Sequence, residues 1–210
     1  MALDELLDEH EQGEKVRDWL KQNSLGLVGG LALGLALIGG GKWWMQQAHR
    51  ERVATGEAYD AVQRTLEAGE VEKARADAAS LAGTAYAGLV ALDLAKAQLD
   101  AGDRDGAIAT LRAAGSEDPG LAAVIRQRLA RLLVDAGQGE QALTLLAGVD
   151  DAASIETRGD ARFALGRSDE ARKDYEEALR KLDVAAPQRR LLELKLAQTG
   201  GTPETTGTES

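Results

Sequence analysis

The chain is 210 residues long, lacks cysteine, and carries 35 acidic against 25 basic side chains, a formal charge of −10. That balance leaves no basic face of the kind a nucleic-acid binder needs to neutralise phosphates. The missing cysteines exclude a disulfide framework, thiolate catalysis and Cys-based zinc sites, and a composition with 3 prolines, few aromatics and much Ala and Leu favours helix over strand.

Residues 1–21 contain seven acids and three bases and read as an acidic juxtamembrane segment, with Val16, Trp19 and Leu20 on one side of a short helix. Between Lys21 and Lys42 lie 20 consecutive residues without charge. At ~1.5 Å per helical residue they reach about 30 Å, the hydrocarbon thickness of a bilayer. Eight of them are Leu, Val or Ile, contributing on the order of −2 to −5 kcal/mol towards insertion. A transmembrane helix is therefore predicted over 22–44, in contact with the lipid bilayer. Trp43 and Trp44 close it at the depth where an indole ring sits among headgroups. The long acidic lead, and the Lys42, Trp43 and Trp44 that follow the span, argue against a cleaved signal peptide. Gly26, Gly30 and Gly34 recur every four residues and line one helix face, a small-residue surface for packing against a partner helix or a second copy of the chain. Orientation stays open, because Lys15, Arg17 and Lys21 before the span balance Lys42, Arg50 and Arg52 after it.

Residues 45–198 carry an internal repeat: Gly, four residues, Ala. The copies are Gly69 with Ala74, Gly102 with Ala107, Gly137 with Ala142 and Gly166 with Ala171, at spacings of 33, 35 and 29, close to the ~34-residue period of tetratricopeptide repeats. Each Gly stands where an amphipathic helix must stop and reverse, and each Ala lies early in the returning helix, where a small side chain lets the hairpin close. Apolar residues keep helical spacing around the turns, as in Leu92, Ala95 and Leu99 before Gly102 and Ile108 and Leu111 after it. In the second unit Leu94, Ala95, Leu111, Ala114 and Pro119 fall on the consensus positions of such repeats, and in the fourth Gly159, Gly166, Ala171, Tyr175 and Ala178 do. The 29-residue spacing predicts a shortened second helix around Leu143 to Val149, and a last helix from about Pro187 to Gln198 is expected to cap the array. Residues 199–210 hold nothing apolar to bury and are expected to be disordered. The fold class is all-α: an N-terminal single transmembrane helix followed by a tetratricopeptide-like α-solenoid of about four helix hairpins.

No enzyme chemistry is visible. His10 and His49 lie on opposite sides of the span, Asp150 with Asp151 and Glu176 with Glu177 are neighbours that point apart, and the glycines at 39–41 lack the Lys-Ser/Thr of a phosphate loop. No catalytic residue, metal or cofactor is expected. Helical solenoids bind through the concave face of their first helices, which by register includes Leu92, Lys96, Val124, Arg131, Asp160 and Phe163.

The opening EHEQGEKVRDWLKQN, the Gly-rich span, Trp43-Trp44, the segment AYDAVQ around Tyr59 and the repeats together resemble a bacterial family, the YfgM-like ancillary SecYEG translocon subunits. The resemblance implies a single-pass inner-membrane protein with a cytoplasmic N-terminus and periplasmic repeats. It also implies association with the SecYEG translocon and with a membrane-anchored periplasmic chaperone of the prolyl-isomerase type, in the service of newly exported proteins. A cytoplasm-facing membrane adaptor and a repeat protein coordinating envelope assembly or cell division are the alternatives.

Overall fold

The computed structural model describes the backbone of residues 2–202 and the side chains of residues 13, 15–26 and 28–202. The side chain of His10 and most of the expected tail, 203–210, lie outside what is described. Within them all regular structure is helical: α1 (Ala2–Glu67), α2 (Val71–Ala78), a 3₁₀ turn (Ala79–Leu81), α3 (Ala87–Asp100), α4 (Arg104–Ala113), α5 (Pro119–Asp135), α6 (Gly139–Leu145), α7 (Ala152–Ala164), α8 (Ser168–Lys181) and α9 (Arg189–Gln198). The chain divides into two compact units, Met1–Ala54 and Thr55–Ser210.

The first unit is helix alone. Leu25, Leu31, Leu33 and Leu37 are all exposed, and at helical spacing these positions surround the helix rather than forming one stripe, so the described residues show no core-facing side. The pieces Lys15–Gly26 and Val28–Glu67 meet at a 48° bend, and no single helix among the described residues is long and apolar enough to cross a membrane, whereas this bent pair is by length and composition. The stretch 22–44, expected as a transmembrane helix, contains this bend. Ser24 and Gly26 stand beside the bend, and Gly/Ser pairs are common sites of helix kinks.

The second unit is built from four reversals made alike. Gly69, Gly102, Gly137 and Gly166 have φ between 73° and 82°, where a side chain would cost roughly 1–2 kcal/mol. In each turn the glycine N–H donates three residues back, to Leu66, Leu99, Val134 or Phe163, and the next N–H donates five back, to Thr65, Gln98, Leu133 or Arg162. This pair of bonds satisfies carbonyls that a helix end otherwise leaves without partners. Five residues on, Ala74, Ala107, Ala142 and Ala171 are each fully buried, so no larger side chain fits without moving the facing helix. Asp103, Asp118 and Asp151 cap α4, α5 and α7 by accepting from the backbone N–H of Gly106, Leu121 and Ser154 at 2.8, 2.7 and 2.9 Å. Pro119 occupies the first turn of α5, where its missing N–H is not needed.

Three apolar clusters run along the array. Val62, Ala74, Leu81, Val90 and Leu94 form the first. Ile108, Leu111, Ile125, Leu129 and Leu133 are central to the second, and Ile155, Tyr175, Leu179, Leu192 and Leu196 to the third. The pairings α3 with α4, α5 with α6 and α7 with α8 are the expected hairpins, but α8 also packs on α9, and α4 on α5 and α6 on α7. Packed helix pairs therefore outnumber the four hairpins expected, because successive units share the same core. The third second-helix, α6, ends at Leu145, consistent with the short 29-residue spacing. Replacing Ala107 by Leu is expected to destabilise the second unit by ~1–3 kcal/mol, and Gly102→Ala by roughly 1–2 kcal/mol. Urea melts of a 55–210 fragment check both, with one cooperative transition expected for the unsubstituted fragment.

Candidate functional site

The expected binding residues sit on three first helices: Leu92 and Lys96 on α3, Val124 and Arg131 on α5, Asp160 and Phe163 on α7. These helices adjoin one another, α3 with α5 and α5 with α7, but their residues divide into two kinds. Leu92 packs against the central cluster and Asp160 is engaged on two sides, so both hold the face together rather than present it. Lys96, Val124 and Phe163 are exposed and Arg131 is half-buried. Lys96 Nζ lies 2.9 Å from Asp100 Oδ2 one turn away, and that carboxylate raises its pKa, by the hydrogen bond first and its charge second. Solvent screens exposed pairs of this spacing so that they contribute little, and Lys96 can exchange its partner at little cost. Arg128, which sequence register did not single out, falls between Val124 and Arg131 on the same side of α5 and is exposed. Its helical spacing of four and three was the signal available.

The junction of α7, α8 and α9 was not legible in advance. Asp174 on α8 is 2% exposed and accepts from Arg158 Nη2 at 3.0 Å and Arg162 Nη1 at 2.6 Å, both from α7. Lys195 on α9 donates to Glu156 at 2.6 Å and Asp160 at 2.8 Å, again on α7. The Tyr175 hydroxyl donates to the other Asp160 oxygen at 2.9 Å. An added Cβ at Gly159 would come within 2.5 Å of the Tyr175 ring, so this glycine is what lets α7 and α8 close over the ring. Burial raises the Tyr175 pKa, reinforced by the charge of Asp160. Burial by itself would lower that of Lys195, but the hydrogen bonds to Asp160 and Glu156 outweigh it and the net shift is upward. Isolated buried charges are costly and paired ones are tolerated, so these side chains act as a structural clasp that fixes the last three helices.

A second feature has no counterpart in the sequence register. An apolar groove of about 910 Å³ runs between α2, α3 and α4, floored by Val90, Ala91 and Leu94 and walled by Ala78, Ala109 and Ala113. Alanines at these wall positions leave room that a larger residue would fill. It lies beside α2 and α4, the second helices, away from the side expected to bind.

Of the expected membrane residues, an added Cβ at Gly26, Gly30 or Gly34 would touch nothing within 4 Å. Trp43 and Trp44 are exposed.

Paired helices reversing at left-handed glycines, with a buried alanine five residues later, define a tetratricopeptide-type helical-repeat protein. The sequence model for the tetratricopeptide repeat-like domain matches residues 17–201. Two relatives are similar over nearly their whole length. An ancillary SecYEG translocon subunit of Escherichia coli strain K12 is 30% identical over 198 residues, covering 90% of this chain and 95% of the relative. One from Haemophilus influenzae is 28% identical over 183 residues, covering 82% and 89%. The chain belongs to the YfgM-like family of ancillary SecYEG translocon subunits.

Lys195→Met is expected to lower stability by about 1–3 kcal/mol, since it leaves Glu156 and Asp160 short of a charged donor. The raised pKa values set the pH window. The folded state holds the Lys195 proton more tightly than the unfolded chain, whose lysine titrates near 10.5, and keeps Tyr175 protonated where a free tyrosine titrates near 10. The stability this confers is full below about pH 10 and is lost as pH rises through the folded values. Thermal melts from pH 7 to 11 should fall above pH 10, less steeply for Lys195→Met.

Proposed function

We propose that this chain is a non-enzymatic, membrane-anchored adaptor of the Sec translocon. The observation that supports it most directly is the likeness to two ancillary SecYEG translocon subunits over 90% and 82% of this chain, beside a repeat-domain match over residues 17–201 that takes in both the apolar stretch and the array. On this reading residues 1–21 lie in the cytoplasm, 22–44 cross the inner membrane as the bent apolar part of α1, and 45–198 stand in the periplasm. Trp43 and Trp44 then occupy the outer headgroup layer. The repeats receive newly exported polypeptide together with a membrane-anchored prolyl-isomerase-type chaperone, through the Lys96, Val124, Arg131 and Phe163 side of the first helices. The side chains there are basic and apolar, which suits segments that are still unfolded.

The glycine face in the span would meet a translocon or chaperone helix, or a second copy of the chain. In lipid, where no hydrophobic drive brings helices together, close backbone approach supplies the attraction. Gly30→Leu with Gly34→Leu adds apolar surface at positions where an added Cβ meets nothing within 4 Å, so insertion is expected to be unimpaired while recovery of SecYEG on detergent purification drops. Quantitative immunoblotting at matched expression reads this, and undiminished SecYEG with this double variant and with an array-deleted chain alike would overturn the assignment. A periplasm-only reporter after Ser210 should be active; activity of a cytoplasm-only reporter there would reverse the topology.

A further inference from the structure

We propose that the outward side of α9, formed by Arg190, Leu191 and Leu194, docks an acidic amphipathic helix from another polypeptide. The proposal rests on the construction of the array and is independent of translocon association.

α9 is built as a first helix. Gly200 follows Gly166 by 34 residues and has φ 80°. Its N–H donates to Ala197 and that of Gly201 to Leu196, at 3.0 and 3.1 Å, the same two bonds as in the four preceding turns. Among the described residues no helix follows it.

In two of those earlier units the residues ten and six positions before the turn glycine reach towards the next first helix, and in a third the residue ten before it does. Tyr59 stacks on Tyr86 with ring centroids 4.9 Å apart, and Gln63 Nε2 donates to Asp93 at 2.5 Å. Leu92 enters the cluster that contains Ile125 and Leu129. Glu156 and Asp160 both accept from Lys195. On α9 the same two positions are Arg190 and Leu194. Six before the turn, the other first helices carry Gln63, Lys96, Arg131 and Asp160, all polar, yet here stands a leucine with 58% of its surface exposed, beside Leu191 at 55%. A terminal repeat facing water should be polar on its outer side, so this end is shaped as a joint.

The occupant follows from what is left unsatisfied. Residues 200–210, GGTPETTGTES, contain no Leu, Ile, Val, Met or aromatic residue to set against two leucines. Arg190 has no ion pair among the described residues, whereas the last internal joint sets a base against acids. A second copy would bring no exposed acid on α9, since Glu193 is held by Arg189 at 3.1 Å, and would leave both Arg190 side chains unmatched. A helix with leucines at i, i+3 or i+4 and i+7 and acids beside them satisfies both demands.

The test uses the full chain in zwitterionic nanodiscs and two fluorescent peptides of about 18 residues, long enough to hold a helix. They share a leucine stripe and differ in flanking Glu or Lys. The Glu peptide is expected to bind at least ~10-fold more tightly, Arg190→Glu to reverse that order, and Leu194→Glu to weaken binding about 10-fold or more. Leu194 is exposed, so thermal melts of these variants should match wild type. Equal binding of the two peptides, or indifference to both substitutions, overturns the proposal. So does a wild-type chain that sediments in detergent as a dimer and becomes a monomer with Leu194→Glu, which assigns the face to a second copy.

Discussion

Reversing an α-helix within two or three residues leaves its last carbonyls without intrahelical partners, and the backbone can close on them only through a left-handed residue. Glycine meets that demand without strain at Gly69, Gly102, Gly137 and Gly166, where two recurring hydrogen bonds complete each turn. The rest of the array depends on this. Because every reversal has one geometry, the fifth residue after each glycine arrives at the same place against the preceding helix, and in all four units that place is filled by a fully buried alanine. Helix spacing, the sharing of cores between units and the alignment of first helices follow from a turn that is repeated rather than from any single large contact.

The means of cohesion changes along the chain. The first two clusters are purely aliphatic in their buried members, while the last joint relies on Asp174 between two arginines and Lys195 between two acids. Apolar packing tolerates sliding, whereas a charge removed from water needs its partners in fixed directions. The C-terminal end is thereby held in one arrangement. A joint offered to a partner benefits from this, since a surface that is already ordered loses less entropy on binding.

The same geometry separates presentation from support on the first helices. Register places Leu92, Lys96, Val124, Arg131, Asp160 and Phe163 on one side, but a helix next to another helix spends part of that side on its neighbour. Asp160 illustrates the division: it lies on the expected face, yet Tyr175 and Lys195 occupy both carboxylate oxygens. Arg128 and Arg131 on α5, by contrast, make no ion pair among the described residues and carry the positive charge of that surface.

Much of this was determined by sequence alone. Glycine and alanine at a period near 34 fix the turns and the close helix contacts, because only those residue types fit a left-handed backbone or a hairpin with no room for a branch. Aspartates before Gly106, Leu121 and Ser154 fix three helix starts, and the uncharged run before Lys42 fixes where apolar surface surrounds a helix. What only the tertiary structure decided is which polar residues are spent internally. Nothing local distinguishes Asp174 from Asp169, or Lys195 from Lys96, since helical periodicity says which side a residue is on and not whether a helix from another unit covers that side. The groove walled by Ala78, Ala109 and Ala113 is of the same kind: one alanine of α2 and two of α4, in successive units, leave a common space that no single stretch of sequence contains.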